Sequence, residues 1–156
     1  MSDPSRTGQA RTMKMRGDFV LLRADSLRLL IPQRDVSSTE YIDQAPVATT
    51  EPGVFTLGDK PGGAQAVLAL SAQMDLLGTF PPDRFLLTRF TGSGQETALA
   101  WTEVRVLIDT ELEFHAIPAV MQGKMELIDA YVEIDRELAF CTTAERMLPE
   151  TPRHPD

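Results

Sequence analysis

The sequence predicts a mainly β protein built as two small barrels packed together, with short helical turns. Short apolar runs compatible with strands recur along the chain, and turn-forming residues separate them. The chain also reads as two similar halves offset by 66 residues: "FVLLR" at 19–23 and "FLLTR" at 85–89 share a Phe-to-Arg spacing, and each opens a hairpin. Each half then finishes with a second hairpin and a short segment, "SAQMDLL" or "AERMLP". Many short strands at regular spacing suit barrels or a sandwich, and the halving favours two barrels.

The elements follow in order. "FVLLR" is short, apolar and β-compatible; after the bend "ADS", "LRLLIP" alternates Leu27, Leu29 and Ile31 onto one face, which makes a hairpin. Pro32 ends that strand. "QRDVSSTEYI" accommodates a short helical turn, and the prolines and threonines of "DQAPVATTEPG" read as a loop. "GVFTL" and "AVLAL" are strands, "SAQMDLLG" a brief segment and "TFPPD" a linker at the midpoint. Beyond it "FLLTRF", the turn "TGSGQE" and "TALAW" form a hairpin, and "VRVLID" sets Val104, Val106 and Ile108 on one side of a strand. In the last hairpin Ile128, Ala130, Val132 and Ile134 alternate against Asp129, Tyr131, Glu133 and Asp135, with the bend at Arg136 and Glu137 and "LAFCT" returning. Thr142 stands three residues before Glu145, the spacing of a capping box, so "AERML" is expected as a terminal helical turn stopped by Pro149.

Composition narrows the function classes. A chain of 156 residues is about one domain, and no apolar run approaches the roughly 18 residues of a membrane helix, so a soluble protein is expected. The N-terminus lacks the apolar core of a signal peptide. Cys141 is the single cysteine, which excludes an internal disulfide and a cysteine-based zinc site. A cytoplasmic location is the expectation. The net charge is −8, yet residues 1–17 carry four basic side chains, Arg6, Arg11, Lys14 and Arg16, against one acid, leaving the rest of the chain near −11. That acidic body argues against nucleic-acid binding, which wants a basic stripe for the phosphates. Residues 1–17 and 150–156 read as disordered tails.

Four stretches invite a chemical reading. "FTLGDKPGGAQAVLAL" at 55–70 has the glycines of a phosphate loop, but a Walker loop needs its lysine after the glycines and a helix next. Here Lys60 precedes Gly62 and Gly63 and a strand follows, so the stretch is a hairpin bend. In "DTELEFH", Asp109, Glu111, Glu113 and His115 would share one face of a strand, where they could hold a divalent metal or act as acid and base. A row of acids along a strand is more often a solvated face that discourages edge pairing. Ser93 sits in a turn without a nucleophile elbow, and Cys141 in an apolar strand where burial makes thiols inert. Trp101 and Phe114, as strand aromatics, read as core. No enzyme is expected, and no metal or cofactor.

From residue 19 to 148 the order of elements resembles the CheW-like domain, the adaptor module of bacterial chemosensory arrays and the regulatory domain of CheA histidine kinases. "FVLLRADSLRLLIPQRDV" looks like the family's first hairpin, with Ile31 and Pro32 where members often have an apolar residue and proline, and Val36 at the apolar position of the following helix. "IDAYVEIDRELAFCTTAERML" is similar to the final hairpin, with Thr143, Ala144 and Glu145 at the start of its helix. The resemblance implies two SH3-like five-stranded barrel subdomains within 18–149, divided near 78–84. It implies docking to a CheA-like regulatory domain and/or a chemoreceptor cytoplasmic tip. Members carry Asn-Leu-Arg-Gly at the end of the third strand, in a segment that contributes to the receptor-facing surface; here Thr56, Leu57, Gly58 and Asp59 stand there, only Leu57 matches, and "KPGGAQ" lengthens the turn. The partner-binding residues implied are Val36, Thr56, Leu57, Gly58, Asp59 and Lys60. Two other readings are a small-ligand sensor barrel, which would need a roomy apolar cavity, and a metal-dependent enzyme using the face of Asp109, Glu111, Glu113 and His115.

Overall fold

The first hairpin is apolar on both faces because it is a wall between two cores. The structure, a computed structural model, describes residues 12–57, 65–90, 97–117, 128 and 130–143. In chain order the strands are β1 (Thr12–Ala24), β2 (Leu27–Pro32), β3 (Val36–Tyr41), β4 (Val47–Ala48), β5 (Phe55–Leu57), β6 (Gln65–Leu68), β7 (Leu86–Phe90), β8 (Thr97–Trp101), β9 (Glu103–Ala116), β10 (Ala130–Ile134) and β11 (Glu137–Cys141). A single 3₁₀ turn, Gln33–Asp35, separates β2 from β3 among the described residues. The fold is therefore mainly β, as the short apolar runs require.

Five strands close a barrel in the order β1-β2-β11-β10-β9, and the remaining six form a sheet in the order β3-β7-β8-β6-β5-β4. The barrel is closed by a parallel pairing of β11 with β2, Cys141 lying opposite Leu30. Its interior is filled by Phe19, Leu21, Leu30, Leu112, Val132, Ile134, Ala139 and Cys141. The sheet has its own core of Ile42, Phe55, Leu57, Val67, Leu87, Ala98 and Ala100. Between them lies a third cluster, in which Val20, Leu22, Ala24, Leu27, Leu29 and Ile31 from the outer face of the first hairpin meet Leu70, Phe90, Leu99 and Trp101. Strands buried on both faces read as continuous apolar runs. Each fully buried Leu or Ile of this wall contributes about 1.5–3 kcal/mol. Trp101 is fully buried, and its indole N–H donates to Thr88 Oγ1 at 2.8 Å.

Three expectations change. The subdomains are not successive halves: β9–β11 return to close the barrel begun by β1–β2, and residues 78–84 join β6 to β7 within the second sheet. The second subdomain is a six-stranded sheet rather than a closed five-stranded barrel. Residues 12–17 are not a tail but the start of β1, where Thr12 through Gly17 pair with Thr110 through His115 of β9. That ladder orders the segment, and Arg16 within it meets the acidic strand at Asp109 and Glu111. Residues 1–11, the "TGSGQE" turn and residues 144–156, which include the expected terminal helical turn and tail, lie outside the described residues.

A bulge sets which side chains of β9 face outward. Between Gly17 and Phe19 on β1 the partner advances from Thr110 to Leu107, one residue more on β9, with Asp109 at φ +50° and its N–H donating to Asp18 Oδ1 at 2.7 Å. The extra residue reverses the alternation. Leu107 faces the barrel interior before it, and Leu112 and Phe114 after it, so Val104, Val106 and Ile108 share the outward face with Glu111, Glu113 and His115. Only Val104 is covered, by the inter-subdomain core, while Val106 and Ile108 are exposed. In the last hairpin the bend is Asp135-Arg136, both at positive φ as a two-residue hairpin turn demands, one residue earlier than the sequence pattern placed it.

One buried ion fastens the wall to the sheet. Arg84 is completely buried; its Nη2 donates to Leu70 O at 2.9 Å and to Asp25 Oδ2 at 3.2 Å, and its Nη1 to Ala100 O at 3.4 Å. Nε is buried with no partner among the described residues. Asp25 occupies the β1–β2 turn at φ +56°. Asp25→Asn keeps a side chain that tolerates this backbone and removes only the counter-charge. Because Asp25 is half exposed, the loss falls below the full cost of orphaning a buried charge; we expect destabilisation of about 1–2 kcal/mol, read from the urea midpoint. An unchanged midpoint would show that the carbonyls alone hold the guanidinium.

On the barrel rim Arg105 Nη1 donates to Asp135 Oδ2 at 2.6 Å. That hydrogen bond, and the charge behind it, hold the Asp135 carboxyl below the ordinary aspartate range and raise the Arg105 guanidinium. A depressed carboxyl stabilises the fold above its unfolded-state pKa, and the contribution fades as pH falls through the folded value. An NMR titration should therefore place the Asp135 midpoint below that of the same residue in the Arg105→Gln variant. Coincident midpoints would contradict the pairing.

Candidate functional site

The described members of the sequence-predicted partner set, Val36, Thr56 and Leu57, lie on strands at or next to the two edges of the second sheet. Val36 opens the edge strand β3 opposite Phe90, half buried against the inter-subdomain core, and belongs to a strand, not to a helix. Thr56 and Leu57 lie on β5, next to the other edge. Alternation splits them: Leu57 is buried in the sheet core, while Thr56 is half exposed and pairs with the exposed Val47 of β4. Thr56 can thus meet a partner and Leu57 supports it from beneath. Gly58, Asp59 and Lys60 lie outside the described residues.

Edge strand β3 leads into a feature that sequence reasoning passed over. Ser38 and Thr39 are exposed along the strand, and Ser37 Oγ donates to Arg89 O at 3.1 Å across a bulge. Beside it Arg89 Nη1 meets Glu40 Oε1 at 2.6 Å. The strand ends at Tyr41, 69% exposed, whose ring stacks on the exposed Phe85 with centroids 6.1 Å apart. Ile42 N–H donates to Phe85 O at 2.8 Å, which holds the two segments together. Phe80, Pro81, Pro82 and Ile42 extend this surface into a cavity of about 330 Å³. An exposed aromatic pair beside an apolar recess on a sheet edge is a surface that a protein partner can use. The signal available in the sequence was Tyr41 and Phe85 at the ends of two strands, but only the β3–β7 register makes them neighbours.

The acidic row is a paired surface. Arg16 reaches Asp109 Oδ1 at 3.5 Å and Glu111 Oε1 at 3.6 Å, Lys14 stands opposite Glu113 in register, and Thr12 Oγ1 lies 3.4 Å from His115 Nδ1. The His115 ring stacks on Tyr131 with centroids 5.0 Å apart. Among the described residues no group of three or more His, Cys, Asp or Glu is placed to hold a metal ion. Cys141 is buried in the barrel and Trp101 in the inter-subdomain core; Phe114 is half buried beside Phe19, ring centroids 5.8 Å apart. None of the three offers an exposed reactive or anchoring group.

This chain matches the crystal structure of the scaffolding protein TtCheW from Thermoanaerobacter tengcongensis with a TM-score of 0.60 and 13% sequence identity, covering 89% of this chain and 97% of that one. The fold is CheW-like. No protein-family model matches the sequence, and no curated protein matches it. At 13% identity the CheW-like likeness lies in the arrangement of strands, which spans nearly the whole of both chains. Among the described residues no helix is long and apolar enough to cross a membrane.

The paired face predicts a simple metal response. Carboxylates already held by Arg16 and spread along a solvated strand give no saturable rise in melting temperature with micromolar zinc or manganese, since stabilisation by mass action requires a site that prefers the native state. A saturable rise of several degrees would contradict this reading.

Proposed function

We propose that the chain is a non-catalytic adaptor of chemotaxis-type signal transduction, docking a CheA-like histidine kinase regulatory domain, a chemoreceptor cytoplasmic tip, or both, in the cytoplasm. The observation that carries the reading is the CheW-like fold, whose match with a scaffolding protein extends over almost all of both chains. Two exposed surfaces of the second sheet are compatible with it. The β3 edge from Val36 to the Tyr41–Phe85 pair is one, and the Thr56–Val47 surface, continued by Gly58, Asp59 and Lys60 in sequence, is the other. An adaptor that couples two proteins needs two such faces. A sensor barrel is less well supported, because the barrel interior is occupied by its own side chains.

The second face is where this chain parts from the family resemblance. An interface arginine is often a hot spot worth about 2 kcal/mol, roughly thirtyfold in affinity. Gly58 cannot supply that side chain, and Lys60 offers a point charge without the planar fork that pairs two hydrogen bonds. Receptor coupling should therefore be weak while kinase docking persists. Shortening the 58–64 segment with Thr56→Asn and Gly58→Arg should strengthen capture on an immobilised receptor tip by about tenfold or more, with melting temperature within a few degrees of the parent. Binding of the unaltered chain to that tip as tightly as a standard CheW would refute the weakened coupling. Failure to bind either a kinase regulatory domain or a receptor tip would refute the adaptor reading.

A further inference from the structure

The barrel carries a ring of charge at one mouth. The inward-facing rows Phe19-Leu21, Leu30, Leu107 and Cys141-Ala139 continue toward the same end, and each finishes in a charged residue: Arg23 on β1, Arg28 on β2, Arg105 and Glu103 on β9, Glu137 on β11. The Asp135 turn adds a sixth. These side chains and Leu21 line a cavity of about 300 Å³.

Around the mouth the charges follow strand order. Arg28 meets Glu137 at 3.1 Å, Asp135 meets Arg105 at 2.6 Å, and Glu103 meets Arg23 at 3.8 Å. Two like-charged junctions remain. Arg23 and Arg28 are directly opposite in the β1–β2 register, and Asp135, in the last turn, stands two residues before Glu137, which follows it. Like charges directly opposite each other on neighbouring strands are destabilising. Moreover, Arg28 is buried, its side chain only 7% exposed, and only its Nη1 is bonded, to Ile134 O at 3.0 Å and to Glu137, leaving Nη2 and Nε without a partner among the described residues. Those donors are not sealed in, since Arg84 Nε is the buried side-chain atom without a partner among the described residues, and Arg28 lines the cavity, where an acceptor can reach it.

We propose that this mouth binds a small zwitterion of the α-amino-acid class, its carboxylate on Arg23 and Arg28 and its ammonium on Asp135 and Glu137. The charge balance selects the class. Three arginines and three carboxylates line the cavity, so a neutral, dipolar guest preserves neutrality, whereas a lone anion would enter a chain of net charge −8. The Arg28–Glu137 contact joins the two poles at 3.1 Å, so the guest's opposite charges must also be close together, as on one α carbon.

The test is an NMR titration of the full-length, ¹⁵N-labelled chain with glycine and alanine, alongside acetate and methylammonium as the separate half-ligands. The proposal expects saturable shifts at Arg23, Arg28, Arg105 and residues 134–137 below about 10 mM amino acid, with either half-ligand about tenfold weaker. Arg28→Gln probes folding and binding together, so Arg23→Gln, on a side chain 43% exposed, separates them: it should weaken glycine binding about tenfold with an unchanged melting temperature. Absence of saturation by about 10 mM, acetate binding as well as glycine, or glycine binding unaltered in Arg23→Gln would each overturn it.

Discussion

The β1–β2 hairpin has to satisfy two cores at once, and most of the architecture follows from that requirement. Phe19, Leu21 and Leu30 point into the barrel, while Val20, Leu22, Leu27, Leu29 and Ile31 point at the second sheet. No position from Leu27 to Ile31 can be given to water, and even Arg28 is buried there because Ile134 O and Glu137 receive it. A hairpin so loaded cannot be an edge, and β9 and β11 flank it to complete the barrel. Arg84 completes the junction by tying the hairpin turn at Asp25 to the carbonyls of Leu70 and Ala100 in the second subdomain. The result is two β units sharing one wall.

Much of this was legible in the chain because alternation and burial coincide locally. Leu27, Leu29 and Ile31 do share a face, "TALAW" does bury its tryptophan, and the last hairpin does put Val132 and Ile134 inside. What local pattern could not reveal was pairing between distant strands. The likeness of "FVLLR" and "FLLTR" suggested successive halves, yet the first is buried on both faces as a wall and the second pairs inside the other sheet. Residues 12–17 looked like a tail because Lys14 and Arg16 are polar on their own; what orders them is the ladder with residues 110–115 of β9, about a hundred residues away. The bulge at Asp109 reversed the alternation of β9 with no glycine or proline on β9 itself to announce it; the glycine at the shift, Gly17, lies on the partner strand.

The candidate surfaces were less legible than the fold, for the same reason. Thr56 is where a surface residue should be, while Leu57, its neighbour in the motif, serves the core. Tyr41 and Phe85 become a pair only through the β3–β7 register, and the charged mouth gathers one or two residues from each of several strands, none conspicuous in its own segment. Binding features assembled from strand ends are dispersed in sequence by construction.

The claim that one shared wall makes the two β units a single body is tested most directly by native-state hydrogen exchange. If it is right, amides of Val132 and Ala139 in the barrel and of Leu87 and Ala98 in the sheet exchange through the same global opening, with one free energy and one denaturant dependence, and fluorescence of the sole tryptophan, Trp101, reports the same transition. Two separate openings, with the sheet unfolding while the barrel remains protected or the reverse, would contradict it.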